Sequence, residues 1–301
     1  MSDITLTASA RNSLLSLTGT ASLMSRTTGR LTSGLKVASA IDDAVSFFKA
    51  KGLTDRAADF STRKDEIDQG ISSMKAAVNG TTLVDSILKQ MKGIVNSVRT
   101  ADSTTRAAYS SQFNDLAKQI NTAMSDASYQ GLNLVDNSSA TLTVYFNQGT
   151  SASLNVHAKN MRASKLMTAM GTGASTGLAV QNMLAAGAGG TAIAGFSVLT
   201  SQTTLSPAAI LDHFTSYIDK GVSHIRSQSA LLGGNITFLQ SRLDFTNNYI
   251  STLQEGSGKL TLADLNEEGA NLVSLQTRQQ IGVQSLSIAG QQQQAILSLL
   301  R

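Results

Sequence analysis

Heptad spacing recurs at both ends of this 301-residue chain. Near the start, Leu14, Leu17, Ala21, Met24, Thr28, Leu31 and Leu35 succeed one another at alternating steps of three and four. Near the end, Leu272, Leu275, Gln279, Gly282, Leu286, Ala289, Gln293, Ile296 and Leu300 do the same. Such a stripe lets one helix lie along another with a slight supercoil. Two stripes at opposite ends predict that the termini meet as one helical unit. A single Pro leaves few enforced breaks, so long helices are open to the chain. The expected fold is mainly α, a long antiparallel, coiled-coil-like bundle formed by both ends. Function is then expected in assembly rather than in a pocket.

Between the ends the pattern predicts a nested layout. Residues 4 to 35 read as a first helix, and Leu35 to Asp43 as a turn in which Asp42 or Asp43 caps the next helix. Helical spacing returns from Ala44 to about Thr100, through Ile71, Met74, Val78, Ile87, Met91, Ile94 and Val98, and again at Phe113, Leu116, Ile120 and Ala123. The period then drops to two. Leu142, Val144 and Phe146, then Asn147-Gln148-Gly149, then Leu154 and Val156, predict a small β-hairpin. From 166 to 205 the composition turns to Ala, Gly, Ser and Thr, with no strand pattern. Ser206-Pro207 restarts a helix as N-cap and first turn. Its stripe runs from Ile218 to Leu253, and Gln254 to Leu262, with two Gly, is expected to break it before a last helix begins near Ala263. The domains implied are a terminal pair (1–36 with 263–301), a helical core with hairpin (37–165 with 206–262) and an outer segment (166–205).

The last helix is short of charge. From Gly269 to Arg301 only Arg278 and Arg301 are charged, where about a quarter of residues would be usual. Gln276, Gln279, Gln280, Gln284 and Gln291 to Gln294 take the place of Lys and Glu. Gln hydrogen-bonds without the desolvation cost of a charge. A helix so made is suited to being surrounded by others, and a single N-terminal partner cannot cover every side. Copies of the same chain are the expected partners; a two-stranded coiled coil within one molecule leaves the missing charges unexplained. Seams containing Ser, Thr, Gly and Gln are expected to be weak alone and ordered by neighbours.

Chemistry at a pocket finds little footing. There is no Cys, which excludes disulfides, thiolate catalysis and Cys-based zinc sites. His157, His213 and His224 are too dispersed to share a metal, and no HExxH occurs. Asp42-Asp43 and Glu267-Glu268 sit at predicted helix starts, where carboxylates favour the dipole. The Gly-rich run Gly171 to Gly195 holds no phosphate-loop pattern. No catalytic, cofactor or metal residues are expected. The +4 charge is small and scattered, so no nucleic-acid partner is expected. Nor is membrane insertion or a cleaved leader, since no stretch reaches about 18 apolar residues and the start lacks a basic-then-apolar pattern.

Several segments in order resemble bacterial flagellins. LTSGLKVASAIDDA (Leu31 to Ala44) is similar to the flagellin pattern LSSGLRINSAKDDA, with Ala38 for Asn and Ile41 for Lys. DQGISSMKAAVNG (Asp68 to Gly80) and SYQGLNLVD (Ser128 to Asp136) resemble further segments, the latter with Gln130 where Asn is usual in the turn. ADLNEEGA (Ala263 to Ala270) and the closing AILSLLR resemble the family's C-terminal region. The resemblance implies a non-enzymatic subunit, exported unfolded by the flagellar type III apparatus with its chaperone. It implies polymerisation into an extracellular filament for swimming motility, meeting cap and hook-junction proteins. The terminal helices would form an inner tube, and 166–205 a reduced variable outer segment. The alternative is a hook–filament junction protein, which shares helical ends; a secreted enzyme or an intracellular scaffold fits less of the pattern.

Overall fold

A computed structural model describes residues 8–136, 139–147, 149, 152–168 and 207–299. Its elements are α1 (Ala8–Ser33), α2 (Ala44–Val98), α3 (Ser103–Asp126), β1 (Ser128–Tyr129), β2 (Leu132–Asn133), β3 (Thr141–Tyr145), β4 (Ser153–His157), α4 (Ala163–Thr168), α5 (Pro207–Thr261) and α6 (Leu265–Leu299). The protein is mainly α, as its heptads predict, with two small antiparallel strand pairs. Residues 4–7, expected in the first helix, and nearly all of 166–205 lie outside the described residues. The chain forms two compact units: a terminal unit from the described residues up to Ala58 and from Tyr249 onward, and a central unit within Asp59–Asn248.

The central unit holds the main apolar core. Ile67, Met74, Leu88 and Met91 of α2, Ile120 and Met124 of α3, and Ile225, Leu232 and Leu239 of α5 are almost fully buried there. Every position of the predicted α5 stripe from Ile218 to Leu253 is buried or half-buried, as are Phe113, Leu116, Ile120 and Ala123 of α3. Between α2 and α5 the flanks carry an ion-pair ladder. Asp85 meets Arg226 at 2.9 Å, Lys92 meets Asp219 at 2.6 Å, and Arg99 meets Asp212. These residues fall seven apart on each helix, the spacing of an antiparallel heptad pair. Exposed pairs contribute about 0.2–1 kcal/mol each, so the ladder chiefly fixes register over a seam that burial stabilises.

Both hairpins are positioned by α2. Val144 of β3 lies over Gly70, so that a Cβ there would stand 2.6 Å from its Cγ2. Gly80 is as tightly met, with Ala127 Cβ at 2.5 Å from that point. The pairing of β3 with β4 brings Leu142 opposite Val156 and Val144 opposite Leu154, so the apolar alternation faces the core as predicted. The β1–β2 turn has Gln130 at φ 49° and Gly131 at φ 80°, a two-residue turn with both centres left-handed. Gln130 and Tyr129 both donate to Gln69 Oε1 of α2, at 3.1 and 2.8 Å.

One expectation fails. Gln254 to Leu262 does not break the helix, which continues to Thr261. Gly costs a helix about 1 kcal/mol relative to Ala, and here close packing offsets it. A Cβ at Gly256 would sit 3.5 Å from Leu53, while Ser257 Oγ donates to the Ala50 carbonyl at 3.2 Å and lies 3.0 Å from Thr54 Oγ1. Ser257 thus ties the end of α5 to the start of α2. The expected break shrinks to Leu262–Asp264.

The glycines give opposed predictions in thermal melts of the full chain. Gly70→Ala should lower stability by about 1–3 kcal/mol through overpacking, whereas Gly93→Ala, which meets open space, should raise it by about 0.5–1 kcal/mol. Asp85 carries a pH dependence as well. Burial raises its pKa, but hydrogen bonds from Lys89 and Arg226 and their charges outweigh this and leave it below the usual value. Its contribution is therefore present above the ordinary carboxylate pKa and lost as pH falls through the lowered one. Asp85→Asn should melt below the parent at neutral pH, with the gap closing below about pH 4.

Candidate functional site

The two chain ends meet at a junction built from backbone. Gly34 ends α1 with φ 71° and donates its amide to Arg30 O at 2.8 Å, the left-handed stop that a glycine adopts without strain. The chain then turns along the end of α5. Lys36 and Val37 both donate to Thr261 O (2.8 and 3.3 Å), Ala263 donates to Gly34 O (2.9 Å), and Leu35 and Leu262 form an antiparallel bridge. Asp42 closes the loop by accepting from the Ser39 amide (3.0 Å) and hydroxyl (3.1 Å) and the Ala38 amide (3.1 Å), bonds that hold its carboxyl below the usual range. Asp43 is the cap of α2. It accepts from the Ser46 hydroxyl and the Ser46 and Val45 amides, which lower its pKa in the same way. Asp264 caps α6 through the Asn266 and Glu267 amides, at 2.9 and 3.3 Å.

From this junction α1 and α6 run against each other. On α6 the covered edge is Glu268, Leu272, Leu275, Gln279, Gly282, Leu286 and Ala289, with Glu268 buried and the rest half-buried. On α1 it is Ser13, Leu17, Thr20, Met24, Thr27 and Leu31. Leu17, Met24, Leu31 and Leu35 of the sequence stripe are half-buried, while Leu14, Ala21 and Thr28 are exposed in the single chain. The alternate places are taken by polar Ser13, Thr20 and Thr27, which apolar heptad spacing does not mark. Gln293 and Ile296 lie in the last turns of α6, and Leu300 falls outside the described residues.

Two contacts shape this seam, and neither is apparent from spacing alone. Arg30 Nη1 donates to Glu268 Oε1 at 2.8 Å, and Glu268 is 8% exposed. Gly282 forms a hole for Leu17, whose Cδ2 would stand 2.8 Å from a Cβ placed at 282. Glu268, expected only to complement the helix dipole, is thus a paired buried charge. The opposite side of α6 carries apolar side chains as well, set among Thr277, Gln280 and Gln284. Val273, Ile281 and Ile288 fall on that side at helical spacing and are 62%, 62% and 50% exposed. On α1, Leu14, Leu15 and Leu23 are also open. Full burial of each such side chain is worth about 1.5–3 kcal/mol.

This arrangement offers packing surfaces rather than reactive groups. His157 Nδ1 lies 3.1 Å from Thr141 Oγ1 across the hairpin, and His224 is exposed on α5. Among the described residues no helix is long and apolar enough to cross a membrane.

Known proteins share both ends. Residues 4–140 match the bacterial flagellin N-terminal helical region, and residues 215–300 match the bacterial flagellin C-terminal helical region. The flagellin FljK of Caulobacter vibrioides is 30% identical over 100% of this chain and 99% of its own. The chain belongs to the bacterial flagellin family. A flagellin of Brucella melitensis is 26% identical over the full length of both chains. A solved structure assigned as a putative flagellar hook-associated protein of Vibrio parahaemolyticus shares the fold. Its TM-score is 0.55 at 12% identity, covering 73% of this chain and 100% of that one. Membership makes the chain a structural protein of the bacterial flagellum. The two matched regions contain α1 and α6 and leave 141–214 between them.

The cap of α6 can be tested directly. Asp264→Ala should weaken the first turn by about 1 kcal/mol and speed amide exchange at Asn266 and Glu267, with the central unit unchanged.

Proposed function

We propose that this chain polymerises with its own copies into the extracellular flagellar filament that drives swimming, its paired termini acting as one stave of an inner tube. The observation that carries the reading is α6 itself: nearly free of charge, covered on one side by α1, and exposing Val273, Ile281 and Ile288 among uncharged Gln and Thr on the other. An isolated subunit leaves Val273, Ile281 and Ile288 in water, whereas neighbouring copies of α1 and α6 would bury them. The Gln residues along the same helix suit such surroundings, since they bond without a buried charge.

Family membership and the absence of Cys support export of the unfolded chain by the flagellar type III system, aided by a chaperone, with folding under a cap protein on a hook junction. A weak terminal pair fits this route because it would order only among neighbours. Protected amides throughout α1 and α6 of the free subunit would refute that point.

Leu286→Glu and Leu17→Asp should abolish pelletable filaments while the central unit melts as in the parent. Ile281→Glu should do so without touching the α1 seam. Normal filaments from either Leu286→Glu or Leu17→Asp would overturn the tube reading, and normal filaments from Ile281→Glu would overturn the burial of that side by other copies. Short rings in place of long polymers from the unaltered chain, seen by negative stain, would favour a hook-junction role.

A further inference from the structure

Helix α6 carries apolar side chains on two sides, and hydrophobicity alone does not say which one should face α1. The side in use is interrupted in its middle by Gln279 and Gly282, as the other is by Thr277 and Gln284. The opposite side offers the β-branched Val273, Ile281 and Ile288. Backbone bonds at Gly34 and Ala263 fix where the pairing begins, but they act only at the first turn of α6 and touch none of the side chains farther along it. Two side-chain contacts depend on which side faces α1. Turning α6 to its other side would carry Glu268 away from Arg30 and leave a charge without its partner. It would also remove the Gly282 hole from Leu17. These contacts lie about four turns apart on α6, so together they define a line along the helix rather than a point.

We infer that the Arg30–Glu268 ion pair and the Leu17–Gly282 fit are positioning contacts that select the face of α6 turned toward α1. They thereby reserve the Val273–Ile281–Ile288 stripe for other copies of the chain, a consequence that rests on the polymer reading above. Selection by one polar pair and one steric hole is a specificity device of the kind used in coiled coils, where a polar contact sets register at little net gain in stability.

The chain has no Cys of its own, so introduced pairs report the face without background. With Leu17 seated on Gly282, the antiparallel register brings Thr20 level with Gln279, and both are on the covered edges. Ile281 lies on the far side. Disulfide yield is measured for Thr20→Cys with Gln279→Cys and for Thr20→Cys with Ile281→Cys, in the soluble full chain and in pelleted polymer. The first pair should dominate by at least about tenfold, and Arg30→Glu or Gly282→Leu should each reduce that ratio about tenfold. The swap of Arg30→Glu with Glu268→Arg should restore it, which recovery of bulk stability alone would not do. An unchanged ratio in both single variants overturns the inference, as does a swap that fails to restore it. Lack of a 20–279 bridge in every state of the parent overturns it too. If the parent bridges at 20–279 but forms no polymer, the face selection stands and the filament reading falls.

Discussion

The closure of α1 upon α6 is the constraint on which the rest of the terminal unit depends. It begins with backbone groups that need partners at two helix ends. Gly34 stops α1, Ala263 donates to Gly34, and Lys36 and Val37 share the Thr261 carbonyl. These bonds satisfy orphan amides and carbonyls while turning the chain back on itself. Once they form, the two helices start side by side, and the seam needs only modest favourable terms. That is what it has: half-buried Leu and Met interspersed with Thr, Gln and Gly.

Much of this is legible in the sequence because packing leaves a period. The seams of α2, α3 and α5, and the C-terminal stripe from Leu272 to Ala289, run along covered edges, and alternation marks the hairpin. What stays hidden is polar or glycine-specific. Thr20 and Thr27 occupy covered positions next to exposed Ala21 and Thr28, because helix rotation is set by the partner rather than by apolarity. Glu268 reads as a dipole residue by position alone, and nothing in the local sequence signals that Arg30, 238 residues away, reaches it. Gly256 and Gly258 read as a helix break, since spacing does not report that Ser257 between them bonds the Ala50 carbonyl of α2.

The glycines show how one residue type serves three ends. Gly34 supplies a backbone conformation that other residues adopt at a cost. Gly70 and Gly80 supply closeness to a neighbour, and Gly282 supplies a hole for a particular side chain. Helix propensity treats the last three alike and disfavours them all. Only the neighbouring atoms separate a weakness in the helix from a contact that positions it.

The two units differ in where their order comes from. The central unit buries Ile67, Met74, Leu88, Met91 and Leu239 almost completely. The terminal pair buries completely neither Leu17, Met24, Leu272 nor Leu286. The remaining apolar area lies on their outer faces, at Val273, Ile281, Ile288, Leu15 and Leu23. In the assembly proposed above, the burial that joins the subunits is the same burial that completes the pair.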